Sequence, residues 1–362
     1  MIEAERLDGP ARNLLYALPL LQDRVSFTFV TFADASSPES DFERAIIERG
    51  FVVHRVRQGF RLDVRVLWRL RRLLGKMHPD VLQVHNTKSR LFAILATIGM
   101  RQAALSRAVF FFHGQTWTNW RRRIYNSMDR WLFRLSSHVA VVTPYQRQLL
   151  VDWGVDRSRI HLVQNAIPEC PVRESPHNAL PVLLCAGRFT REKGHGVLVD
   201  AVAKVARRRG PTFRLELYGE GPERASIEAR ARKSVPDGVI HFKGYQPDLG
   251  SAYSASDLFV LPSLSEGLPN VLLEAGMAGV PILATRVGGV PALFEDGVHA
   301  RLVPPGDVGA LAMGIEEFLG HCERFKVFAE AARRKVLQEH SPTAKAAQLL
   351  QIYDRVSTSN EI

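Results

Sequence analysis

The chain is 362 residues long, more than one hydrophobic core usually organises, so its length alone predicts two domains. Apolar residues make up 46% and charged residues 23%, which excludes general disorder, and the longest near-continuous apolar run, Leu91–Met100, is too short to cross a bilayer. The formal net charge of +11 falls wholly within residues 1–165, which carry 25 Lys and Arg against 14 Asp and Glu, whereas residues 166–362 carry 23 of each. A one-sided excess of this sign points to an anionic partner for the first half. The opening Met1-Ile-Glu-Ala-Glu-Arg6 has no apolar segment of the signal-peptide kind, and Cys170, Cys185 and Cys322 share no metal-ligand spacing. A reduced, cytoplasmic protein is expected.

In chain order, Leu7-Asp-Gly-Pro-Ala-Arg-Asn13 reads as a strand-to-helix turn, with Pro10 in the first helical turn and Leu14, Leu15, Leu18 and Leu21 as its apolar face. Glu3 and Glu5 make a poor central strand, so the first strand of the domain is expected to be degenerate or missing. Strands are predicted at Val25–Phe32, Phe51–Val56, Val81–His85, Ala108–His113, His138–Thr143 and Ile160–Gln164. Between the second and third, Arg61, Arg65, Arg69, Arg72 and Lys76 form one helical stripe beside a second of Leu62, Val66, Leu70, Leu73 and Met77. Asn165–Leu180, with Pro168, Pro171 and Pro176, breaks the rhythm and reads as a linker. Strands resume at Pro181–Gly187, Phe213–Gly219, Val239–Phe242, Asp257–Pro262, Pro281–Thr285 and Ala300–Val303, and Val197, Leu198, Ala201, Val202 and Val205 mark a helix after the first of these. Alternation of this kind predicts an α/β protein of two doubly wound, Rossmann-like domains, spanning 1–165 and 181–341 about a linker at 166–180. Ligands of such sheets bind beyond the carboxyl ends of the strands, and two sheets in tandem predict a site in the cleft between them.

The segment Ser263-Leu-Ser-Glu-Gly-Leu-Pro-Asn-Val-Leu-Leu-Glu-Ala-Gly-Met277 carries the strongest chemical signal. Pro269 suits a first helical turn, so a helix is predicted to begin near Leu268–Asn270, and its free N–H groups and dipole form an anion site for a diphosphate. Glu266 then faces the ligand from the loop, and Glu274, about one turn into the helix, reaches a neighbouring hydroxyl. Arg188 and Lys193, between Gly187 and Gly194 at the end of a predicted strand, bring two cations suited to phosphate oxygens. His113, after Phe110–Phe112, is positioned as a cleft residue, and Asn86 and Lys88, after His85, are candidates for the acceptor. Gly219-Glu-Gly221 hints at a dinucleotide loop, but Arg224 occupies the place of a third small residue and no acidic residue closes the next strand.

Taken in order, Gly187-Arg-Phe-Thr-Arg-Glu-Lys-Gly194, Leu217-Tyr-Gly-Glu-Gly-Pro-Glu223, Phe242-Lys-Gly-Tyr245, Glu266–Pro281, Val287-Gly-Gly-Val290 and Leu302-Val-Pro-Pro-Gly-Asp307 resemble glycosyltransferase family 4, a GT-B type of enzyme with two facing Rossmann-like domains. Asp8-Gly-Pro10, Phe112-His-Gly114 and Val163-Gln-Asn-Ala-Ile167 fit more loosely in the first half. The resemblance implies a retaining sugar transfer from a nucleoside-diphosphate sugar, with the acceptor domain first and the donor domain second. It implies that Arg188 and Lys193 hold the diphosphate, Glu274 the ribose, Glu266 the sugar hydroxyls and the backbone of Gly267, Leu268, Pro269 and Asn270 the phosphate. It further implies that Gly244 and Tyr245 border the base, that Gly9 lies in the donor site, and that His113 sits close to the transferred sugar. The last helix, around Pro342–Val356 within 342–362, is implied to return to the first domain.

No two aspartates stand two residues apart, so no metal or other cofactor is expected, and the departing diphosphate is left to fixed cations and a helix N-terminus. The acceptor is expected to be a glycan or lipid-linked precursor of the cell envelope or an exopolysaccharide. Competing readings are a donor-binding scaffold without catalysis and another GT-B enzyme, such as a nucleotide-sugar epimerase or a phosphorylase. The basic amphipathic stripe, with Trp117-Thr-Asn-Trp-Arg-Arg-Arg123, predicts contact with an anionic membrane surface, on the inner face of the plasma membrane. Nucleic acid is not expected, because the aromatic residues do not interleave with the main basic stripe.

Overall fold

The computed structural model describes residues 1, 9–34, 37–59, 63–98, 100, 106–113, 120–169 and 180–358, with backbone alone at 9–10 and 120–126. Arg61, Leu62 and Trp117 of the basic segments, and Cys170, Pro171 and Pro176 of the linker, lie outside them. The chain divides into two compact units, Met1–Ala166 with Pro342–Ile362, and Ile167–Ser341. No helix among the described residues is long and apolar enough to cross a membrane.

The second unit is one six-stranded parallel sheet of β7 (Val182–Ala186), β8 (Arg214–Tyr218), β9 (Ile240–Gly244), β10 (Leu258–Leu261), β11 (Ile282–Thr285) and β12 (Arg301–Val303), ordered β12-β11-β10-β7-β8-β9. Both faces are buried, and the period of two divides them. Leu183 and Cys185 join a core with Leu198, Val202 and Leu311 on one side, while Leu184 and Ala186 join Leu272, Leu273 and Val336 on the other. Strand order reverses between β7 and β10, which pair directly through Leu183 and Leu258. The loops leaving these two strands therefore emerge side by side, at the place where a doubly wound sheet opens a crevice.

The first unit carries β1 (Thr28–Asp34) paired with β2 (Val52–Gln58), and a separate run β3-β4-β5-β6 of Leu82–Val84, Ala108–Phe112, His138–Val141 and Ile160–Leu162, all parallel. No strand among the described residues joins β1 to β3. The Met1 main chain lies along β3 instead, its nitrogen donating to the Gln83 carbonyl at 2.6 Å and its carbonyl accepting from His85 N–H at 3.1 Å.

Helices cover both faces of the first unit as well. Helix α1 (Gly9–Ala17) buries Leu14 and Leu15, and α2 (Asp41–Ile47) is held by a reciprocal cap between Ser40 and Glu43. In α3 (Arg65–Met77) the apolar stripe is core: Val66, Leu70 and Leu74 are buried, while Arg65, Arg69, Arg72 and Lys76 are exposed. Then follow α4 (Thr87–Thr97), α5 (Trp120–Arg134) and α6 (Pro144–Asp152), and in the second unit α7 (His195–Arg209), α8 (Arg224–Ser234), α9 (Gly250–Ala255), α10 (Asn270–Ala278), α11 (Val290–Leu293), α12 (Val308–Gly320) and α13 (Cys322–Glu339). Helix α14 (Pro342–Thr358) packs Leu349, Ile352 and Tyr353 against Val109 and Phe111 of β4 and so closes the first unit.

Candidate active site

The loop after β7 runs from Gly187 through a single 3-10 turn, Arg191–Lys193, to Gly194, where α7 begins. Gly194 has φ +67°, and a Cβ there would stand 2.1 Å from the Pro262 carbonyl oxygen, so only glycine lets this loop lie against the one after β10. The Leu264 N–H donates to the Glu192 carbonyl at 2.8 Å, which ties the two loops together.

That juxtaposition brings Lys193 Nζ to 2.7 Å from Glu266 Oε1, across 73 positions of sequence. The Glu266 side chain is 7% exposed and also accepts from the Ser263 hydroxyl at 2.6 Å. An anion buried to that degree requires such partners, because each removes part of the desolvation cost. From the other side, Gly288 has φ +52° and a Cβ there would lie 1.8 Å from the Glu266 carbonyl oxygen, while the Gly289 N–H donates to the Gly267 carbonyl at 2.8 Å. The Val287-Gly-Gly-Val290 segment thus clamps the main chain that carries Glu266.

Four residues beyond Glu266, α10 begins at Asn270, with Pro269 as its N-cap rather than in its first turn. The proline supplies no side-chain cap, and its φ of −75° and ψ of 117° aim the chain into the helix. Glu274 lies one turn in, and its Oε2 accepts from the Tyr253 hydroxyl at 3.0 Å. Arg188 stands exposed at the rim of the β7 loop. Gly244 ends β9 and its carbonyl accepts from the Gly219 N–H at 2.8 Å; Tyr245 follows, 65% exposed. Loop pairing at the reversal of strand order therefore brings together Lys193, Glu266 and the opening of α10 within the second unit.

In the first unit, His85 follows β3 and His113 follows β4, which are neighbours in the sheet. His85 Nδ1 is 3.0 Å from His113 Nε2, and the two rings lie within 12° of parallel. Burial lowers the His113 imidazole to about 3, helped by the cations Lys345 and Arg90, and burial lowers His85 well below its ordinary range. Both rings are neutral at pH 7. Asn86 caps α4, accepting from the Ser89 N–H at 3.0 Å, and the Lys88 ammonium donates to Gln58 Oε1 at 2.6 Å above the Phe32 ring. These two candidates for acceptor contact thus each have a structural partner. Gly9 opens α1.

Sequence reasoning missed the groups behind the candidates: Ser263 behind Glu266, Tyr253 behind Glu274, and Gln83, His85 and Tyr353 behind His113. Gln83 and His85 share one face of β3 by the period of two, a signal present in the sequence. Tyr253, the partner of Glu274, bears no motif of its own, whereas Ser263 and Lys193, the partners of Glu266, stand within segments already marked in the sequence.

Residues 9–169 match a family model described as glycosyltransferase family 4, and residues 180–321 one described as glycosyl transferases group 1. A lipopolysaccharide core biosynthesis glycosyltransferase, LpsE, of Rhizobium meliloti is 31% identical over 49% of this chain and 51% of its own. The amylovoran biosynthesis glycosyltransferase AmsK of Erwinia amylovora is 28% identical over 69% of this chain and 64% of its own. The chain therefore spans about half to two thirds of the length of these curated relatives. Among solved structures, Anabaena HepE in complex with UDP and glucose superposes with a TM-score of 0.81 at 17% identity, covering 98% of each chain, a likeness of fold. With family models over both units and a GT-B fold, the chain belongs with the family 4-like glycosyltransferases.

Proposed function

We propose that the protein transfers a hexose-type sugar, with retention and without a metal ion, from a nucleoside-diphosphate sugar to a glycan or lipid-linked acceptor. The observation that carries the reading is the Lys193–Glu266 pair of 2.7 Å beside the N-terminus of α10, where strand order reverses. Negative charge grows on the nucleoside diphosphate as the glycosidic bond breaks. Lys193, Arg188 and the positive dipole end of α10 would stabilise it, and Glu266 would meet the sugar, whose anomeric centre turns cationic. Glu274 is assigned to the ribose, Gly244 and Tyr245 to the base, Gly9 to the donor, His113 to the sugar during transfer, and Asn86 and Lys88 to the acceptor. The relatives LpsE and AmsK, named for lipopolysaccharide core and amylovoran biosynthesis, support an envelope or exopolysaccharide precursor as acceptor. HepE, solved with UDP and glucose, supports a nucleotide-sugar donor. We further propose that this chemistry runs in the cytoplasm, at the inner face of the plasma membrane.

Arg188→Ala and Lys193→Ala should each weaken a nucleoside diphosphate by about tenfold or more, since each removes a charge-assisted contact of about 1.5–3 kcal/mol. Titration calorimetry with UDP and with GDP measures this. Unchanged affinity for both ligands in both variants would remove the β7 loop from the donor site.

A further inference from the structure

Four polar side chains from three elements form one unbroken line behind His113. The Tyr353 hydroxyl, on α14, lies 2.5 Å from Gln83 Oε1; Gln83 Nε2 lies 2.6 Å from His85 Nε2; His85 Nδ1 lies 3.0 Å from His113 Nε2. Tyr353 and His85 are each only 8% exposed, whereas His113, at the end of the line, is partly exposed. Phe111 stacks on His85 with centroids 4.6 Å apart, which holds that ring in the plane it shares with His113.

Elementary donor and acceptor rules give this line a direction. A buried phenol must place its one proton, and Gln83 Oε1 is the acceptor that Tyr353 meets. With its oxygen so engaged, Gln83 turns its N–H₂ group toward His85, whose Nε2 must then accept. A neutral imidazole that accepts at Nε2 carries its proton at Nδ1, so His85 donates to His113 Nε2. His113 in turn is left with its proton on Nδ1.

The geometry points to Tyr353, Gln83 and His85 as positioning residues that hold His113 in the single tautomer protonated at Nδ1, presenting a fixed N–H donor to an oxygen of the substrate. The reading rests on the assignment of His113 to sugar transfer. It gives α14 a role that its packing alone does not require, because the helix supplies the phenol that sets the direction of the whole line. A donor fixed before substrate arrives costs no reorganisation during the reaction, whereas a ring free to exchange tautomers would present a lone pair part of the time.

The test is the ring ¹⁵N spectrum of the full-length protein labelled at histidine, with the His113 signals assigned by their loss in His113→Gln. Wild type should show His113 protonated at Nδ1 and bare at Nε2. Tyr353→Phe, which keeps the ring and removes the proton that orients Gln83, should convert His113 to a mixture of tautomers. His85→Asn, which retains an N–H near the position of Nδ1, should preserve the pure tautomer, and His85→Leu should lose it. In turnover assays Tyr353→Phe should lower kcat several-fold and leave the affinity for UDP unchanged. A wild-type spectrum with His113 protonated at Nε2 overturns the proposal, as does a tautomer that Tyr353→Phe leaves untouched. The spectrum needs no turnover, so a wild type that transfers no sugar would sink the transferase reading and leave this one standing or falling by its own signal.

Discussion

The pairing of Lys193 with Glu266 changes how each residue is understood. Read separately, the lysine belongs to a diphosphate and the glutamate to a sugar. In the folded unit each is the other's counter-ion, so neither charge is available to the donor without affecting the second. Their effects on donor binding should be strongly non-additive: a double-mutant cycle of Lys193→Ala and Glu266→Ala should give a coupling energy of about 1–3 kcal/mol in UDP affinity. Additive losses would mean that the two act on the ligand independently. Lys345 is a different case. Burial lowers its ammonium to about 7 from 10.5, and it donates to Asn13 Oδ1 at 2.7 Å inside the first unit. Between those two values the unfolded chain holds a proton that the folded chain does not, so stability rises with pH across that interval and is lowest, from this group, below about 7. Wild type measured against Lys345→Met in urea should therefore gain about 2–3 kcal/mol between pH 7 and pH 9.5. A difference that stays flat, or falls, assigns the lysine an ordinary value.

At the scale of elements, the glycines of Val287-Gly-Gly-Val290 explain why that motif accompanies Glu266 so far away in sequence. A side chain at Gly288 would collide with the Glu266 carbonyl, a backbone atom that cannot swing aside. Gly288→Ala should cost about 2–4 kcal/mol and weaken UDP as well, because the loop it displaces carries Glu266. Calorimetry with a parallel denaturant melt checks both, and retention of native UDP affinity would show the loop to be tolerant. Helix α3 was legible in the sequence as an amphipathic, basic element, and its solvent face is as basic as expected. Its apolar face is spoken for by the core, so any attachment to anionic lipid must come from charge on the outer face, with Trp68 exposed beside it. Arg65→Glu with Lys76→Glu leaves the Arg69 contact to the Arg57 carbonyl intact and should abolish sedimentation with anionic vesicles at low salt. Equal sedimentation of wild type and variant would make the stripe a plain solvated surface.

For the whole molecule, strand positions were the most legible feature, because buried parallel strands are short apolar runs between turn signals, and each of the twelve stretches named from the sequence overlaps a strand. The candidate site was legible where one loop contains its chemistry, as in Glu266 to Glu274. It was illegible where chemistry depends on strand order: nothing in the spacing of Lys193 and Glu266 says that β7 and β10 are neighbours. The same holds for Tyr353, which reaches Gln83 from 270 residues away only because α14 packs on the first unit. The central claim is that a carboxylate held by Lys193 serves sugar transfer from a nucleoside-diphosphate donor. Its most direct test is the release of nucleoside diphosphate from a panel of nucleotide sugars by purified wild type and Glu266→Gln, with folding checked by thermal melts. Wild type should turn over at least one donor, and the isosteric variant should lose about a hundredfold in kcat with its melting temperature nearly unchanged. Equal turnover by the two proteins, or none by wild type with any donor, would contradict it.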